Sequence, residues 1–316
     1  MELGRLKNPI SFREIQGILA GWGVAFAASG PNISCDKLCS IKNIESHGIY
    51  YLTASVDARG IGIEESVIVA ERVEPGISEG NAFLVVEDPQ LVFYKLSRSL
   101  LDAPTAHAMH PTAIIDPEAE ISANVALGAY SVIGKCSIGE NTNIHAHVVI
   151  YNNTVIGRNV TIESGTCVGA TGVAWAWEKN GERVIQPQTG GVVIEDECFL
   201  GANISIVRGS VNEFTLIGRG TALAPGTKIG HGVRIGPYCH FANNVAVAGS
   251  ASIGPGCFLG SGSVVSSNVK IPGGTVVGAG AAVVKDIEEE NMVVAGVPAK
   301  KIGYASGVHK GVPRKP

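Results

Sequence analysis

The sequence of 316 residues predicts a mostly β protein, in which a parallel β-helix of hexapeptide repeats follows a small α/β domain. Three observations support this prediction. Apolar residues occupy every sixth position from Ile217 to Val283, a glycine or alanine follows most of them, and the period is absent from residues 1–105. An α-helix would place apolar residues three and four apart, and a strand would alternate them, so neither fits. A six-residue period is typical of short strands wound into a coil.

The repeat has a simple physical logic. One hexapeptide forms one side of a triangular coil, so about eighteen residues complete a turn. The aliphatic residue points inward, and the small residue after it relieves crowding at the corner, as in Ile229-Gly230 and Ile235-Gly236. Because no single coil can bury its own apolar side, several coils must stack to be stable.

Composition bounds the class of protein. Hydrophobic residues make up 45% of the chain and charged residues only 16%, and the 41 glycines indicate tight, repetitive turns. A formal charge of −4 provides no general basic field, so nucleic acid is not an expected partner. The N-terminus lacks the apolar stretch of a signal peptide, and no window approaches the length of a membrane span. We therefore expect neither.

The cysteines are odd in number, seven, and do not suggest a disulfide framework. Four of them precede a repeat aliphatic by two places, a position that faces the coil interior: Cys136, Cys198, Cys239 and Cys257. Cys35 and Cys39 are four residues apart, but no second pair completes a zinc site, so no metal is expected. We predict free thiols and a cytoplasmic protein.

Residues 1–105 are predicted to form the small α/β domain. Ser11 followed by Glu14 is a capping box that starts one helix, and Pro89 lies in the first turn of another. A linker is predicted at 103–111. Apolar or alternating runs predict strands at 48–52, 66–70 and 82–86.

The repeat begins at Ile115 and continues with one five-residue step to Ile138. We assign residues 106–303 to the β-helix domain and 304–316 to a basic tail. Residues 171–191 break the period, and a loop of this length within a compact repeat is usually functional. Two interpretations stay open: the loop packs its two tryptophans on the coil wall, or it reaches a neighbouring subunit and helps to enclose a site.

These features resemble the hexapeptide-repeat acyltransferases, whose parallel β-helix is left-handed. More narrowly, the chain resembles the UDP-3-O-acylglucosamine N-acyltransferases of lipid A biosynthesis, and is LpxD-like. The segments that carry the narrower resemblance are 84–91, 110–116, 144–151, 169–191 and 228–236. The resemblance implies a first domain that binds a nucleotide-sugar, a homotrimer with sites between subunits, and no permanently bound cofactor.

Acyl transfer from a thioester to an amine needs a base for the proton of the nitrogen and a donor for the tetrahedral oxyanion. His231 matches the catalytic histidine of the family. Gly249 follows one coil later, so it should stack beside His231, and its backbone N–H matches the oxyanion donor. The alternative for His231 is an ordinary polar corner residue.

The resemblance also places residues that bind the acceptor. Tyr51 occupies the position of a uridine-stacking aromatic, although Ala54 stands where the family has an asparagine. Asn268 stands at the position of a second histidine near the acyl chain. His240, immediately before Phe241, is a candidate to face a subunit cleft.

Further candidates lie in the loop and near the C-terminus. Trp175 and Gln188 belong to the loop at 171–191 and are assigned to substrate binding. Lys285 and Lys300 lie in a C-terminal segment that resembles CoA-using acetyltransferases rather than LpxD. They are expected to meet CoA phosphates. Solvated surface lysines are the alternative.

Three hypotheses follow. The first is an acyltransferase that moves an acyl group from acyl-CoA or acyl carrier protein (acyl-ACP) to the amine of a sugar or nucleotide-sugar, with N-acylation favoured over O-acylation. The second is a CoA-dependent O- or N-acetyltransferase of a small substrate. The third is a trimeric binding or scaffold protein without catalytic activity.

Overall fold

The structure, a computed structural model, describes residues 3–54, 60–73, 77, 80–101 and 109–305. The chain divides into two compact units, Met1–Thr105 and Ala106–Pro316. The predicted linker at 103–111 and the predicted basic tail at 304–316 lie largely outside the described residues.

The first unit is a six-stranded mixed sheet with two helices, in agreement with the predicted α/β domain. The strands lie in the order β1-β3-β4-β5-β6-β2, so β3 to β6 form a parallel core with antiparallel neighbours at both edges. Their bounds are β1 Arg5–Ser11, β2 Ala27–Ser29, β3 Ser34–Leu38, β4 Gly48–Leu52, β5 Val67–Ala70 and β6 Ala82–Val85, with α1 Phe12–Gly21 and α2 Pro89–Leu100.

Both helices begin where the sequence predicts. The side-chain oxygen of Ser11 accepts a hydrogen bond from the Glu14 N–H at 3.3 Å, and the Ser11 N–H donates to Glu14 Oε2 at 2.7 Å, which completes the capping box. Asp88 caps α2 by accepting from the Leu91 N–H at 2.9 Å. These bonds satisfy backbone donors that have no partner within the helix.

The second unit is a parallel β-helix, which confirms the predicted fold. Its first coils contain β7 Ile114–Ile115, β8 Glu120–Ile121, β9 Ala126–Leu127, β10 Val132–Ile133, β11 Ser137–Ile138, β12 Asn143–Ile144, β13 Val149–Ile150, β14 Thr154–Ile156, β15 Thr161–Ile162 and β16 Cys167–Ala170. An antiparallel hairpin follows, formed by β17 Trp175–Trp177 and β18 Arg183–Ile185.

The remaining coils continue to residue 304. They contain β19 Gly191–Ile194, β20 Phe199–Leu200, β21 Ser205–Val207, β22 Phe214–Ile217, β23 Ala222–Leu223, β24 Lys228–Ile229, β25 Arg234–Ile235, β26 His240–Phe241, β27 Ala246–Val247, β28 Ser252–Ile253, β29 Phe258–Leu259, β30 Val264–Val265, β31 Lys270–Ile271, β32 Val276–Val277, β33 Ala282–Val283, β34 Met292–Ala295 and β35 Lys300–Tyr304. Only β35 pairs antiparallel.

Every third strand belongs to the same face of the prism. Sheet I has nine strands (β7, β10, β13, β16, β21, β24, β27, β30, β33), sheet II has eight (β8, β11, β14, β19, β22, β25, β28, β31), and sheet III has ten (β9, β12, β15, β20, β23, β26, β29, β32, β34, β35). We call the corner at which the chain passes from sheet I to sheet II the I–II edge. It is the edge that carries the chain's long excursions.

The predicted apolar period forms the core. The twelve residues at six-residue spacing from Ile217 to Val283 are at most 3% exposed, so all of them point into the prism. Where a glycine follows the apolar residue it permits close stacking, since a Cβ on Gly230 would lie 2.6 Å from the Gly249 nitrogen of the next coil. The left-handed backbone of the corner falls two residues later, as at Gly232 with φ of 64°.

The hairpin corrects one interpretation of the loop at 171–191. Trp175 is 53% exposed and Trp177 is 65% exposed, so in the chain itself neither ring packs on the coil wall. Contact with a neighbouring subunit stays a prediction. Within the described ranges, no helix is long and apolar enough to cross a membrane.

The thiols are free, and the four that precede repeat aliphatics are buried as predicted. Burial raises the pKa of Cys136 and of Cys198 to about 11, because the interior disfavours a thiolate. The folded protein thus retains a proton that the unfolded chain releases above its ordinary thiol pKa.

This difference predicts a stability that declines at alkaline pH. The contribution of a buried thiol is complete below about pH 8.5 and decreases as the pH rises towards the folded-state value, by up to about 1.4 kcal/mol per pH unit. Urea unfolding between pH 7 and 10.5 should give a steeper loss for the wild type than for Cys198→Ala or Cys136→Ala. Equal slopes would contradict the assignment.

Candidate functional site

The I–II edge brings together five of the residues that the sequence singled out. Each lies between a strand of sheet I and the following strand of sheet II: His231 between β24 and β25, Gly249 between β27 and β28, and Asn268 between β30 and β31. Trp175 and Gln188 lie in the excursion between β16 and β19, on the same edge. One edge therefore carries most of the predicted site.

His231 lies directly against Gly249. Strand β24 pairs with β27 at an offset of eighteen residues, with Ile229 opposite Val247. A Cβ on Gly249 would lie 2.4 Å from Nε2 of His231 and 2.8 Å from two of its ring carbons. The imidazole therefore occupies the space that any larger residue would fill, and its Nε2 edge borders the Gly249 backbone.

The Gly249 N–H is available as a donor. In the described part of the chain it makes no hydrogen bond, whereas its carbonyl accepts from the Asn268 N–H at 3.1 Å. The carbonyl of His231 likewise accepts from the Ser250 N–H at 2.7 Å. These bonds fix the backbone on both sides, so a free N–H is held beside the Nε2 atom of His231. The imidazole and this N–H can act as a base and an oxyanion donor.

Sequence reasoning missed Glu213, which borders the other side of the histidine. Its Oε1 lies 4.0 Å from Nδ1 of His231, and that nitrogen is buried without a hydrogen bond among the described residues. Glu213 comes from the short excursion between β21 and β22. The available signal was the spacing: Glu213 precedes His231 by eighteen residues, the length of one coil. The irregular excursion that carries Glu213 interrupts the repeat and obscured this relation.

The loop residues have different environments. Gln188 is only 6% exposed, and its Oε1 accepts from the Gly172 N–H at 2.5 Å, so it ties together the two ends of the excursion. Trp175 pairs with Ile185 across the exposed hairpin. The side chain of Asn268 is exposed beside Gly249. Their assignment to substrate binding stays a prediction.

His240 is separated from this group within the chain. It belongs to β26 in sheet III, the face opposite the I–II edge. Its ring stacks on Phe258 at 5.6 Å between centroids, and burial lowers its pKa. The structure thus does not bring His240 to His231, because their spacing of nine residues corresponds to half a coil.

The two predicted donor-binding lysines line one cavity of about 430 Å³ at the C-terminal end of the prism. Lys285 follows β33 on the I–II edge, three strands from β24 in sheet I, or about 14 Å at the usual spacing between strands. Lys300 opens β35. The walls include Val284, Ile287, Met292, Val294, Pro298 and Lys301.

Tyr51 lies in the first unit and is described there by itself. Its ring packs on Phe93 of α2 at 4.9 Å between centroids and on Tyr94 at 6.2 Å. It lines a cavity of about 580 Å³ together with Lys42 and Gln90. An aromatic ring beside polar and cationic groups suits a base and its phosphate-linked sugar.

A further cavity of about 380 Å³ lies beside Glu213 on sheet II. Its walls include the carboxylates of Glu118, Glu120 and Glu213, and Glu118 pairs with Lys135 at 2.8 Å. The other lining residues include Asn153, Val155, Thr189 and Phe214. Its lining combines carboxylate, amide and hydroxyl groups with apolar side chains, so it offers polar contacts beside an apolar surface.

Two family models match the β-helix. The model "Bacterial transferase hexapeptide (six repeats)" matches residues 135–170 and 214–249, which include His231 and Gly249. The model "Hexapeptide repeat of succinyl-transferase" matches residues 191–212 and 250–285.

Curated relatives carry the name UDP-3-O-acylglucosamine N-acyltransferase. The protein of Coxiella burnetii (strain Dugway 5J108-111) is 34% identical over 188 residues, which cover 53% of this chain and 54% of that protein. The protein of Pseudomonas paraeruginosa is 35% identical over 187 residues, covering 53% and 52%. The chain thus spans about half the length of the curated relatives it matches.

Solved structures of UDP-N-acetylglucosamine O-acyltransferases (LpxA) are similar to the β-helix. The Moraxella catarrhalis structure has a TM-score of 0.57 and 30% identity, with 63% of this chain and 75% of that chain covered. The Acinetobacter baumannii structure has a TM-score of 0.57 and 32% identity, with 62% and 74% covered.

A methyl group on Gly249 should displace the histidine. Because Gly249→Ala would place a Cβ 2.4 Å from Nε2, we expect the His231 ring to move by about 1 Å or more to restore ordinary contact. Crystal structures of the variant and the wild type provide the measurement. Gly273→Ala is a matched control at another corner, where the nearest atoms lie at 3.3 Å. An unmoved ring in Gly249→Ala would refute the packing described.

Proposed function

The chain belongs to the hexapeptide-repeat acyltransferase family, and on that basis we propose that it transfers an acyl group from a thioester donor to the amine of a nucleotide-sugar. The observation that carries the proposal is the pair formed by His231 and Gly249: an imidazole nitrogen beside an unengaged backbone N–H. Acyl transfer needs both groups at one carbonyl.

The proposed reaction runs through a tetrahedral intermediate. The amine nitrogen attacks the thioester carbon while Nε2 of His231 takes its proton, and a C–N bond forms. The oxyanion that develops accepts a hydrogen bond from the Gly249 N–H. Collapse of the intermediate breaks the C–S bond, and the imidazolium returns the proton to the departing thiolate. The products are an amide and a free thiol, with no net change in protonation of the protein.

Nitrogen is favoured over oxygen as the acceptor atom by the names of the curated relatives, which are N-acyltransferases. The similar solved structures are O-acyltransferases that also act on a UDP-sugar. A nucleotide-sugar acceptor is therefore common to both comparisons. In the first unit, the cavity that Tyr51 lines is the proposed nucleotide site, since it offers an aromatic ring and the Lys42 ammonium.

The donor is proposed to be a soluble thioester co-substrate, either acyl-CoA or acyl-ACP. A specific observation supports CoA: Lys285 and Lys300 line one cavity, and Lys285 lies on the same edge as His231. Two ammonium groups near an apolar wall suit the phosphates and adenine of CoA. A CoA-dependent acetyltransferase of a small substrate is the second candidate function on this ground.

We further propose a homotrimer in the cytoplasm. The exposed tryptophans of the hairpin beside the I–II edge favour contact with a second subunit, because large exposed apolar groups mark interaction sites. The free cysteines favour a reducing compartment.

Replacement of the histidine tests the mechanism. His231→Ala should reduce turnover at least about a hundredfold, because a general base contributes that factor or more. The assay follows thiol release from acyl-CoA and acyl-ACP with UDP-linked amino sugars, and light scattering verifies that oligomeric mass is unchanged. Retained turnover in the variant would eliminate this mechanism. A wild type without thioester cleavage across a broad amine panel would favour the scaffold hypothesis.

Replacement of the lysines tests the donor. The double variant Lys285→Gln/Lys300→Gln should raise KM for acyl-CoA by roughly fivefold or more, through the loss of two solvent-exposed charge contacts. Its KM for acyl-ACP should change less, because the carrier lacks the nucleotide phosphates. Lys228→Gln is a matched control on sheet I, where the ammonium group donates to the Asn203 carbonyl. An unchanged KM for acyl-CoA would exclude this cavity as the donor site.

A further inference from the structure

The two nitrogens of His231 have unequal environments. The Nε2 edge borders the Gly249 backbone, and 36% of the side chain is exposed. The Nδ1 atom is buried, and among the described residues it forms no hydrogen bond. A buried nitrogen without a hydrogen-bond partner destabilises a folded protein, so an acceptor or donor close to Nδ1 would be stabilising. The polar group that the structure places there is the carboxylate of Glu213, at 4.0 Å.

Glu213 is held firmly in that place. Its Oε1 accepts from the Ser210 N–H at 2.8 Å, and its backbone carbonyl accepts from the Gly191 N–H at 3.1 Å. The side chain passes over Gly232, where a Cβ would lie 2.9 Å from Oε1. Three neighbouring coils thus leave room for this carboxylate and fix it from both ends.

The segment around it is also fixed. The hydroxyl of Thr215 donates to the Val207 carbonyl at 2.7 Å and accepts from the Gly232 N–H at 3.0 Å. These two bonds close the excursion at its base and attach it to the corner that follows His231. Hydrogen bonds therefore hold the excursion in one conformation, and the Glu213 side chain faces the histidine as well as solvent.

We propose that Glu213 is a positioning residue for His231, an inference that rests on the proposed function. Its carboxylate accepts the Nδ1–H of the imidazole and so leaves the Nε2 lone pair directed at the amine. It also stabilises the imidazolium that forms when Nε2 takes the proton. At 4.0 Å the carboxylate charge already favours a proton on Nδ1 in the free protein, and the separation closes to hydrogen-bond length when substrate binds, as catalytic contacts often tighten in the complex.

The tautomer of His231 tests this proposal without an activity assay. Long-range ¹H–¹⁵N spectra of ¹⁵N-histidine protein are recorded over a pH series, and the His231 signals are assigned by their loss in His231→Asn. We expect the neutral wild-type ring to carry its proton on Nδ1. In Glu213→Gln, which keeps the shape and loses the charge, the Nε2–H form should become substantial. A wild-type ring protonated on Nε2, or an unchanged tautomer in Glu213→Gln, would overturn the proposal.

A matched control is available on the same β-helix. Glu163 lies 3.6 Å from His145, with Oε1 near Nε2, so Glu163→Gln removes the same charge beside a different histidine. This control should leave the His231 tautomer and turnover unchanged. A shift of the His231 signals in Glu163→Gln equal to that in Glu213→Gln would mean a general charge effect and would also overturn the proposal.

Kinetics separate this inference from the function on which it rests. Glu213→Gln should lower kcat about tenfold or more with little change in KM, since the carboxylate acts on proton transfer rather than on binding. If His231→Ala is inactive while Glu213→Gln retains full kcat and its tautomer, the positioning role fails and the function stands. If the wild type is inactive with every donor and acceptor, the proposed acyl transfer is wrong. The tautomer measurement alone then tests whether Glu213 accepts the Nδ1–H of His231.

Discussion

The close stacking of successive coils is the constraint on which the rest of this structure depends. Aliphatic side chains fill the prism, and a glycine after many of them lets the next coil approach until a Cβ would collide with its backbone, as at Gly230 against Gly249. This contact fixes the register at eighteen residues in regular coils, with Lys228 opposite Ala246 and Ile229 opposite Val247. Any residue is therefore placed above the one that lies one coil earlier, and edge residues far apart in sequence become neighbours.

Two irregular segments add groups to the regular β-helix. The hairpin at 175–185 and the excursion that carries Glu213 both leave the prism at the I–II edge, which also carries the corners of His231 and Gly249. A regular corner offers one small residue and a free N–H, which is enough for an oxyanion donor. A carboxylate beside the histidine needs an additional segment, and the structure braces that segment with hydrogen bonds from Ser210 and Thr215.

The proximity of His231 to Gly249 could be predicted because both belong to an unbroken run of the repeat. Within such a run, residues eighteen apart in sequence lie side by side in neighbouring coils. The contact of Glu213 could not, because strand β21 is offset by twenty-three residues from β24 while β22 is offset by eighteen from β25. His240 lies half a coil from His231 and therefore on the opposite face of the same chain, and its place in a cleft between subunits stays a prediction. The exposure of Trp175 and the burial of Gln188 likewise depend on how the excursion folds into a hairpin.

The sequence by itself determined the fold class, the buried register, the helix starts at Ser11 and Asp88, and the stacking of His231 on Gly249. Each follows from a local or strictly periodic pattern, so one residue's position implies that of the next. Only the tertiary structure decided which edge the excursions share, that Glu213 borders Nδ1, and that Lys285 and Lys300 line one cavity. Those contacts join segments whose spacing obeys no period, and their geometry is set by packing between coils.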